Sequence, residues 1–285
     1  MIRTIRREIL TIALWSIAGI SAFSAGLLIW GVWHDEWSGY NASTKTAISD
    51  GSCNIAVVPI VGDIIPYAGA DHDGSGNEVP PSTNADDVLT TLRAAGNDQN
   101  ILGVFVRIDS NGGSPVASEI IANGFKHASL PLVALIRETG TSGAYLAATG
   151  AKTIIASPFS DIGSIGMTMS YLENTAKNTK DGLRLVSLSS GKYKDYGSPD
   201  KPLTAEERVL LERDLKIYHE QFVKEVAENR NLPVEQVAKL ADGSSMPGTL
   251  ALENKLIDAL GDQETVRAWF AEQLKLSQEE VVFCE

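Results

Sequence analysis

The chain has 285 residues, of which 44% are hydrophobic, enough for one large domain or two small ones. Its net charge of −12, with no basic patch to offset it, argues against a nucleic-acid partner. With only two cysteines and four histidines, it has neither a disulfide scaffold nor a cluster with zinc-ligand spacing. We therefore expect no metal ion and no other cofactor.

The N-terminal segment has the features of a membrane anchor. Residues 1–8 carry three arginines, and residues 9–33 contain no charged side chain. At about 1.5 Å per residue, 25 residues suffice to cross a hydrocarbon core of about 30 Å. A cleaved signal peptide is the competing interpretation, but the apolar run continues past every small-x-small site. We predict a single retained span in the inner (cytoplasmic) membrane, with the arginine-rich end in the cytoplasm and the rest on the extracytoplasmic side.

After the anchor, a polar juxtamembrane linker is predicted over residues 34–53, one domain over 54–276 and a C-terminal tail over 277–285. Within the domain, short apolar runs alternate with helical patterns, which indicates an α/β fold with parallel strand pairing. The predicted strands are 54–62, 101–108, 132–136, 152–156, a strand following 161–167, and 181–190.

The predicted helices begin with recognisable caps. Pro115 is expected at the first position of one helix, with Ser114 as its cap. Thr204 and Glu207 form a capping-box pattern at the start of a long helix that reaches about residue 230. Shorter helices are expected after it, with a final one around 265–274.

One short stretch, residues 140–145 (Gly-Thr-Ser-Gly-Ala-Tyr), carries the chemistry. Ser142 lies between small residues where a strand turns into a helix, a place where a nucleophile can be exposed next to backbone N–H groups. The alternative is that Ser142 is an ordinary helix cap. This stretch alone favours the cap, since capping serines vastly outnumber nucleophiles, and the nucleophile remains the alternative.

A serine nucleophile also needs an oxyanion hole and a base. Gly112 and Gly113 follow another strand and offer unshielded N–H groups, although glycines also serve in plain tight turns. Neither His127 nor His219 lies in a glycine-punctuated loop, so Lys194 is the better candidate base. A lysine acts as a base only when desolvation lowers its pKa from about 10.4 toward neutrality.

Four stretches in order resemble the signal peptide peptidase SppA family of Ser–Lys proteases, and a fifth, 242–258, resembles that family's C-terminal signature. The four are 109–113 (Asp-Ser-Asn-Gly-Gly), 141–145 (Thr-Ser-Gly-Ala-Tyr), 163–166 (Gly-Ser-Ile-Gly) and 190–195 (Ser-Gly-Lys-Tyr-Lys-Asp). Each motif alone is weak, but five in order are specific.

The resemblance implies a crotonase/Clp-protease-like fold with repeated ββα units, followed by C-terminal helices. It implies that Ser142 is the nucleophile, Lys194 the general base and Ser164 the residue that orients the lysine. Gly113 and Gly143 would form the oxyanion hole. Asn111 stands where the family usually has proline, which affects the local geometry but leaves both glycines in place.

The short form of this family further implies a ring of copies at the membrane, with each Ser–Lys pair completed between neighbours. Its implied substrates are remnant signal peptides or other apolar peptides, with small or aliphatic residues at the cleavage point. Two alternatives remain: a non-proteolytic enzyme of the crotonase fold, and a peptide-binding membrane scaffold. The sequence also leaves open whether Cys53 and Cys284 pair.

Overall fold

A computed structural model describes residues 47–67 and 80–284. The described residues group into one compact unit that begins at Ala47. Within them, no helix is long and apolar enough to span a bilayer. The predicted anchor at 9–33 and most of the predicted linker lie outside the described residues, so the anchor stays a prediction.

Nine strands of the described residues form one sheet in which every pairing is parallel except that of β6 with β7. The central order is β2-β1-β3-β4-β5-β8; β6 pairs with β4 and β7, and β9 pairs with β1. The predicted α/β fold with parallel pairing is therefore confirmed. The strands are β1 (Ile55–Ile65), β2 (Ser82–Asn84), β3 (Gly103–Gly113), β4 (Leu132–Thr141), β5 (Thr153–Ala156), β6 (Asp161–Gly163), β7 (Ser245–Pro247), β8 (Ala259–Leu260) and β9 (Phe283–Cys284).

Eight α-helices of the described residues connect or cover these strands, and a short 3-10 helix, Gln278–Glu280, precedes β9. They are α1 (Ala85–Asn97), α2 (Pro115–Lys126), α3 (Gly143–Thr149), α4 (Thr175–Lys180), α5 (Ala205–Arg230), α6 (Val234–Leu240), α7 (Gly248–Glu253) and α8 (Gln263–Leu274).

The sheet buries apolar side chains on both faces, because side chains alternate along each strand. On one face, residues such as Val106 and Ile136 pack with α1, α2, α3 and α5 in the larger core. On the other face, Phe105 and Val133 pack against Phe270 of α8. Strands buried on both faces explain the nearly continuous apolar runs that predicted them.

The predicted caps are present in the structure. The Ser114 side chain accepts a hydrogen bond from the Ala117 amide at the start of α2. Thr204 and Glu207 bond reciprocally at the start of α5, which ends at Arg230 as expected. These contacts satisfy backbone N–H groups in the first turns of α2 and α5.

The predicted strand at 181–190 is wrong, and so is the strand expected after 161–167; within this part of the chain the structure has only β6, at Asp161–Gly163. Residues 183–189 are irregular and exposed, including Leu185, Val186 and Leu188. A strand requires a neighbour to bond its amides and carbonyls, and among the described residues no strand pairs with this segment. The apolar pattern of this segment therefore does not correspond to a strand in the described residues.

Residues 277–284, assigned to a C-terminal tail in the sequence, return to the sheet. Phe283 and Cys284 pair with Ile55 and Ala56 at the beginning of β1. Cys284 forms a disulfide with Cys53, with an S–S distance of 2.12 Å. The two ends of the domain are thus joined covalently.

Candidate active site

Ser142 occupies a strained turn between β4 and α3. Its φ of 51° and ψ of −125° place a non-glycine residue in a region that side chains rarely adopt. Although Ser142 stands at the cap position of α3, its side chain makes no capping hydrogen bond. The structure therefore does not show Ser142 acting as an ordinary cap, and its role as a nucleophile stays a prediction.

Two backbone amides converge beside this serine. Gly143 is the first residue of α3, so its N–H has no acceptor within the helix. The Ser114 amide donates to the Ile64 carbonyl at 2.8 Å. Because successive amides along a strand alternate in direction, the Gly113 amide points the opposite way, toward the β4 side of β3.

The glycine loop approaches the serine turn closely enough that side chains would not fit between them. A Cβ on Gly112, whose φ is +107°, would lie 2.6 Å from the Gly143 nitrogen. A Cβ on Gly143 would lie 3.2 Å from the Gly113 nitrogen. The geometry suits two donors aimed at one oxyanion next to Ser142.

Two cavities adjoin this turn, and both are lined by Gly113 and Ser142. We call the cavity of about 220 Å³ the side pocket; it extends between α2, α3 and α5 and has Leu146 and Phe222 in its wall. We call the cavity of about 400 Å³ the long cavity; it extends past Ser164. The nucleophile candidate therefore lies where the two cavities meet.

Ser164 is held next to Ser142 by the pairing of β6 with β4. Thr141 is in register with Gly163, and the Ser142 amide donates to the Gly163 carbonyl at 2.7 Å. Ser164 has a φ of 49°, and its hydroxyl donates to the Gly243 carbonyl at 3.0 Å. The structure thus brings Ser142, Ser164, Gly113 and Gly143 together.

Lys194, by contrast, is exposed and lines neither cavity. It lies in a turn in which its amide donates to the Gly191 carbonyl at 3.1 Å. Within residues 47–67 and 80–284, its ammonium forms no ion pair. One chain by itself therefore does not assemble the predicted Ser–Lys pair.

The turn that carries Lys194 is held by the residues on either side of it. Lys192 forms an ion pair with Glu206. On the other side, Lys201 bridges Asp195 at 3.1 Å and the buried Glu207 at 2.5 Å.

The ion pair with Glu206 also affects the suitability of Lys192 as a base. The hydrogen bond that the Lys192 ammonium donates to the Glu206 carboxylate raises the pKa of Lys192, which makes Lys192 less suited to act as a base. Lys194 remains the candidate base of this stretch, and its role stays a prediction.

His219 is not the base that the sequence favours, yet it lies in the wall of the long cavity together with Asp242. His219 is half-buried on α5, and the hydrogen bond from the Ser244 hydroxyl lowers the pKa of Asp242. A motif search finds no signal for His219, because its position depends on how α5 crosses the strand ends. Experiments that test Lys194 as the general base therefore have to include His219.

Tyr145 belongs to the same motif as Ser142 but plays a structural part. It is fully buried, its hydroxyl donates to the Leu256 carbonyl at 2.8 Å, and burial raises the pKa of that hydroxyl. Tyr145 therefore stays protonated and ties α3 to the segment before β8.

The chain is similar in sequence to a known protein family and to several individual proteins. A model of peptidase family S49 matches residues 124–277. A putative protease of Methanocaldococcus jannaschii is 33% identical over 187 residues, 65% of this chain and 60% of the relative. A putative signal peptide peptidase SppA of Enterococcus faecium is 28% identical over 248 residues, 86% of this chain and 71% of the relative. Among solved structures, a ClpP1 mutant of Listeria monocytogenes aligns with a TM-score of 0.46 and 13% identity, covering 72% of this chain and 91% of that one.

Proposed function

Because the chain belongs to peptidase family S49, a family of serine endopeptidases, we propose that it is a membrane-anchored Ser–Lys endopeptidase. In this proposal Ser142 attacks the peptide carbonyl and Lys194 accepts its proton. Ser164 positions the lysine, and Gly113 and Gly143 bind the oxyanion. We also propose that the domain has a crotonase/Clp-protease-like fold with repeated ββα units.

The observation that carries the proposal is the Ser142 turn. Its hydroxyl is not used to cap α3, its backbone is strained, and the amide of Gly143 begins a helix directly beside it. Strain of this kind persists when the surrounding structure enforces it, and it is concentrated at functional sites. An enzyme of acyl transfer needs this combination of an available hydroxyl and preorganised N–H donors.

We propose that a second copy of the chain supplies the lysine. The segment that leads to Lys194 exposes a series of apolar side chains that the described chain does not cover; they are Leu172, Leu183, Val186 and Leu188. Apolar side chains that are this exposed within one short segment support an interface there. A homo-oligomeric ring would cover it and carry Lys194 of one copy to Ser142 of the next.

We propose apolar peptides as substrates, in particular signal peptide remnants left in the membrane. The side pocket has apolar side chains in its wall, and the strand ends beside Ser142 offer backbone groups to an extended peptide. A domain outside the cytoplasm is consistent with the Cys53–Cys284 disulfide, since disulfides persist in oxidising compartments.

The anchor can be tested by protease accessibility in intact spheroplasts. We expect added protease to degrade the domain while the chain remains in the membrane fraction. Protection of the domain, or its release with an N-terminus beyond residue 33, would contradict a retained anchor with an outside domain.

A serine-reactive fluorophosphonate tests the nucleophile directly. We expect the assembled wild-type protein to be labelled on Ser142, and mass spectrometry of the modified peptide locates the adduct. Ser129→Ala is the matched control, because Ser129 is an exposed serine that lines neither cavity. A protein without an activated serine, as expected for a scaffold or a hydratase of this fold, would remain unlabelled.

A further inference from the structure

The turn that carries Lys194 is joined to the first turn of α5 by a chain of three charged side chains. The Lys201 ammonium donates to the Asp195 carboxylate at 3.1 Å and to the Glu207 carboxylate at 2.5 Å. Asp195 directly follows Lys194, and Glu207 is the third residue of α5. Lys201 therefore links the backbone beside the candidate base to a helix.

Glu207 is the fixed end of this chain of contacts. Its side chain is 4% exposed, and its Oε2 accepts a hydrogen bond from the Thr204 amide at 3.1 Å. In return, the Glu207 amide donates to the Thr204 hydroxyl at 3.2 Å. Because the capping box holds both the backbone and the carboxylate of Glu207, the other oxygen, Oε1, presents a fixed acceptor to Lys201.

Asp195 is the end of the chain that lies beside the base. A hydrogen bond from the Ser187 hydroxyl and a second one from Lys201 lower the pKa of Asp195, so its carboxylate stays ionised at neutral pH. The backbone carbonyl of Asp195 accepts from the Ser198 amide at 3.2 Å. The residue next to Lys194 is thus held through its side chain and through its main chain.

Low exposure distinguishes these contacts from the ion pair on the other side of the turn. Lys201 is 23% exposed and Asp195 is 27% exposed. Lys192 and Glu206, by contrast, are 66% and 63% exposed. Exposed ion pairs contribute little, because water and salt screen them, whereas partly buried charges are screened less. We therefore expect the contacts of Lys201, and not the pair formed by Lys192, to fix the turn.

We propose that Lys201 is a positioning residue of the proposed reaction. By holding Asp195 against the start of α5, it fixes the backbone that carries Lys194 to Ser142 of the next copy. Lys201 lines neither cavity, so it acts through Asp195 and not on the substrate. The inference rests on the proposed function, in which Lys194 is the general base. Displacing a catalytic group by about 1 Å lowers the rate on the order of a hundredfold.

Asp195→Ala tests this inference in the full-length protein, assembled in detergent, with an apolar fluorogenic peptide. We expect kcat to fall by about 10²-fold and KM to stay within about threefold of wild type, because the turn lines neither cavity. The unfolding temperature should change little, since the buried pair of Lys201 with Glu207 remains. A kcat within about threefold of wild type would overturn the proposal.

Two further variants separate positioning from stability. Lys201→Met leaves the buried Glu207 carboxylate unpaired, so both kcat and the unfolding temperature should fall. Adding Glu207→Gln removes that unpaired charge and keeps an acceptor for the Thr204 amide, so the unfolding temperature should recover. In this double variant kcat should stay about 10²-fold below wild type, because Asp195 still lacks its partner. Recovery of kcat together with the unfolding temperature would show a purely structural role.

A rescue variant and a control complete the series. Lys201→Arg keeps a charged group that can donate to two carboxylates, so its kcat should lie within about tenfold of wild type. Lys216→Met is the matched control, since Lys216 forms an exposed ion pair with Glu220 on α5 at 3.8 Å. This control should keep the wild-type kcat and KM. Equal losses in Lys216→Met and Lys201→Met would contradict a specific role of Lys201.

Hydrogen exchange separates failure of this inference from failure of the proposed function. In Asp195→Ala the amides of residues 191–198 should exchange about tenfold faster than in wild type, because a hydrogen bond that closes the turn is lost. If Lys194→Ala stays active, or if wild-type protein cleaves no peptide, the proposed function is wrong, and faster exchange still supports the fixing of the turn by Lys201. Unchanged exchange in Asp195→Ala overturns the inference whether or not peptide is cleaved.

Discussion

Replacing Ser142 by alanine is expected to reduce kcat/KM for peptide cleavage by at least about 10⁴-fold, because it removes the attacking oxygen. The free energy of unfolding should change by less than about 1 kcal/mol. The Ser142 hydroxyl makes no capping bond, so its loss leaves no buried group unsatisfied. Peptide hydrolysis and thermal unfolding of the same preparation measure the two effects.

Ser129→Ala provides the control for Ser142→Ala. Ser129 is an exposed serine in the turn after α2 and lines neither cavity, so its removal should leave cleavage unchanged. Cleavage by Ser142→Ala at more than a few per cent of the wild-type rate, in protein free of contaminating peptidase, would exclude Ser142 as the nucleophile.

Lys194→Ala is expected to lose turnover to a similar degree, and Lys194→Arg should be equally inactive because arginine remains protonated at working pH. Lys192→Ala is the matched control two residues away; its ammonium is paired with Glu206, and we expect it to keep activity within about tenfold of wild type. His219→Gln should also remain active. Full activity in Lys194→Ala together with loss in His219→Gln would transfer the role of base to the histidine.

Mixed assembly tests whether the lysine comes from a neighbouring copy. Inactive Ser142→Ala and inactive Lys194→Ala chains, assembled together, should recover activity because some sites then combine an intact Ser142 with an intact Lys194. Each variant assembled alone should stay inactive. No recovery in rings shown to contain both chains would contradict sharing between copies but not the Ser–Lys chemistry itself.

The serine turn and the glycine loop could be predicted from the sequence because each is local. A buried strand followed by small residues predicts a turn into a helix, and Gly112 and Gly113 follow a strand that the structure extends to include them. Their proximity also follows from neighbouring parallel strands, whose ends meet at one edge of a sheet. The catalytic roles of these residues remain predictions.

The features that the sequence did not reveal depend on tertiary packing. His219 looks like an ordinary residue of a charged helix until α5 brings it to the wall of the long cavity. The segment 183–189 has the apolar pattern of a strand, but no described strand lies beside it. The return of Cys284 to β1 is equally invisible, since separation along the chain says nothing about distance in space.

The Cys53–Cys284 bond turns 231 residues of sequence separation into a covalently closed loop. A single backbone cut in an exposed stretch, such as 183–189, would therefore leave both fragments attached to each other. On a gel without reductant such a nicked molecule would run as an intact chain, and it would separate into two bands only after reduction. Limited proteolysis of this protein, by itself or by another enzyme, has to be followed under reducing conditions.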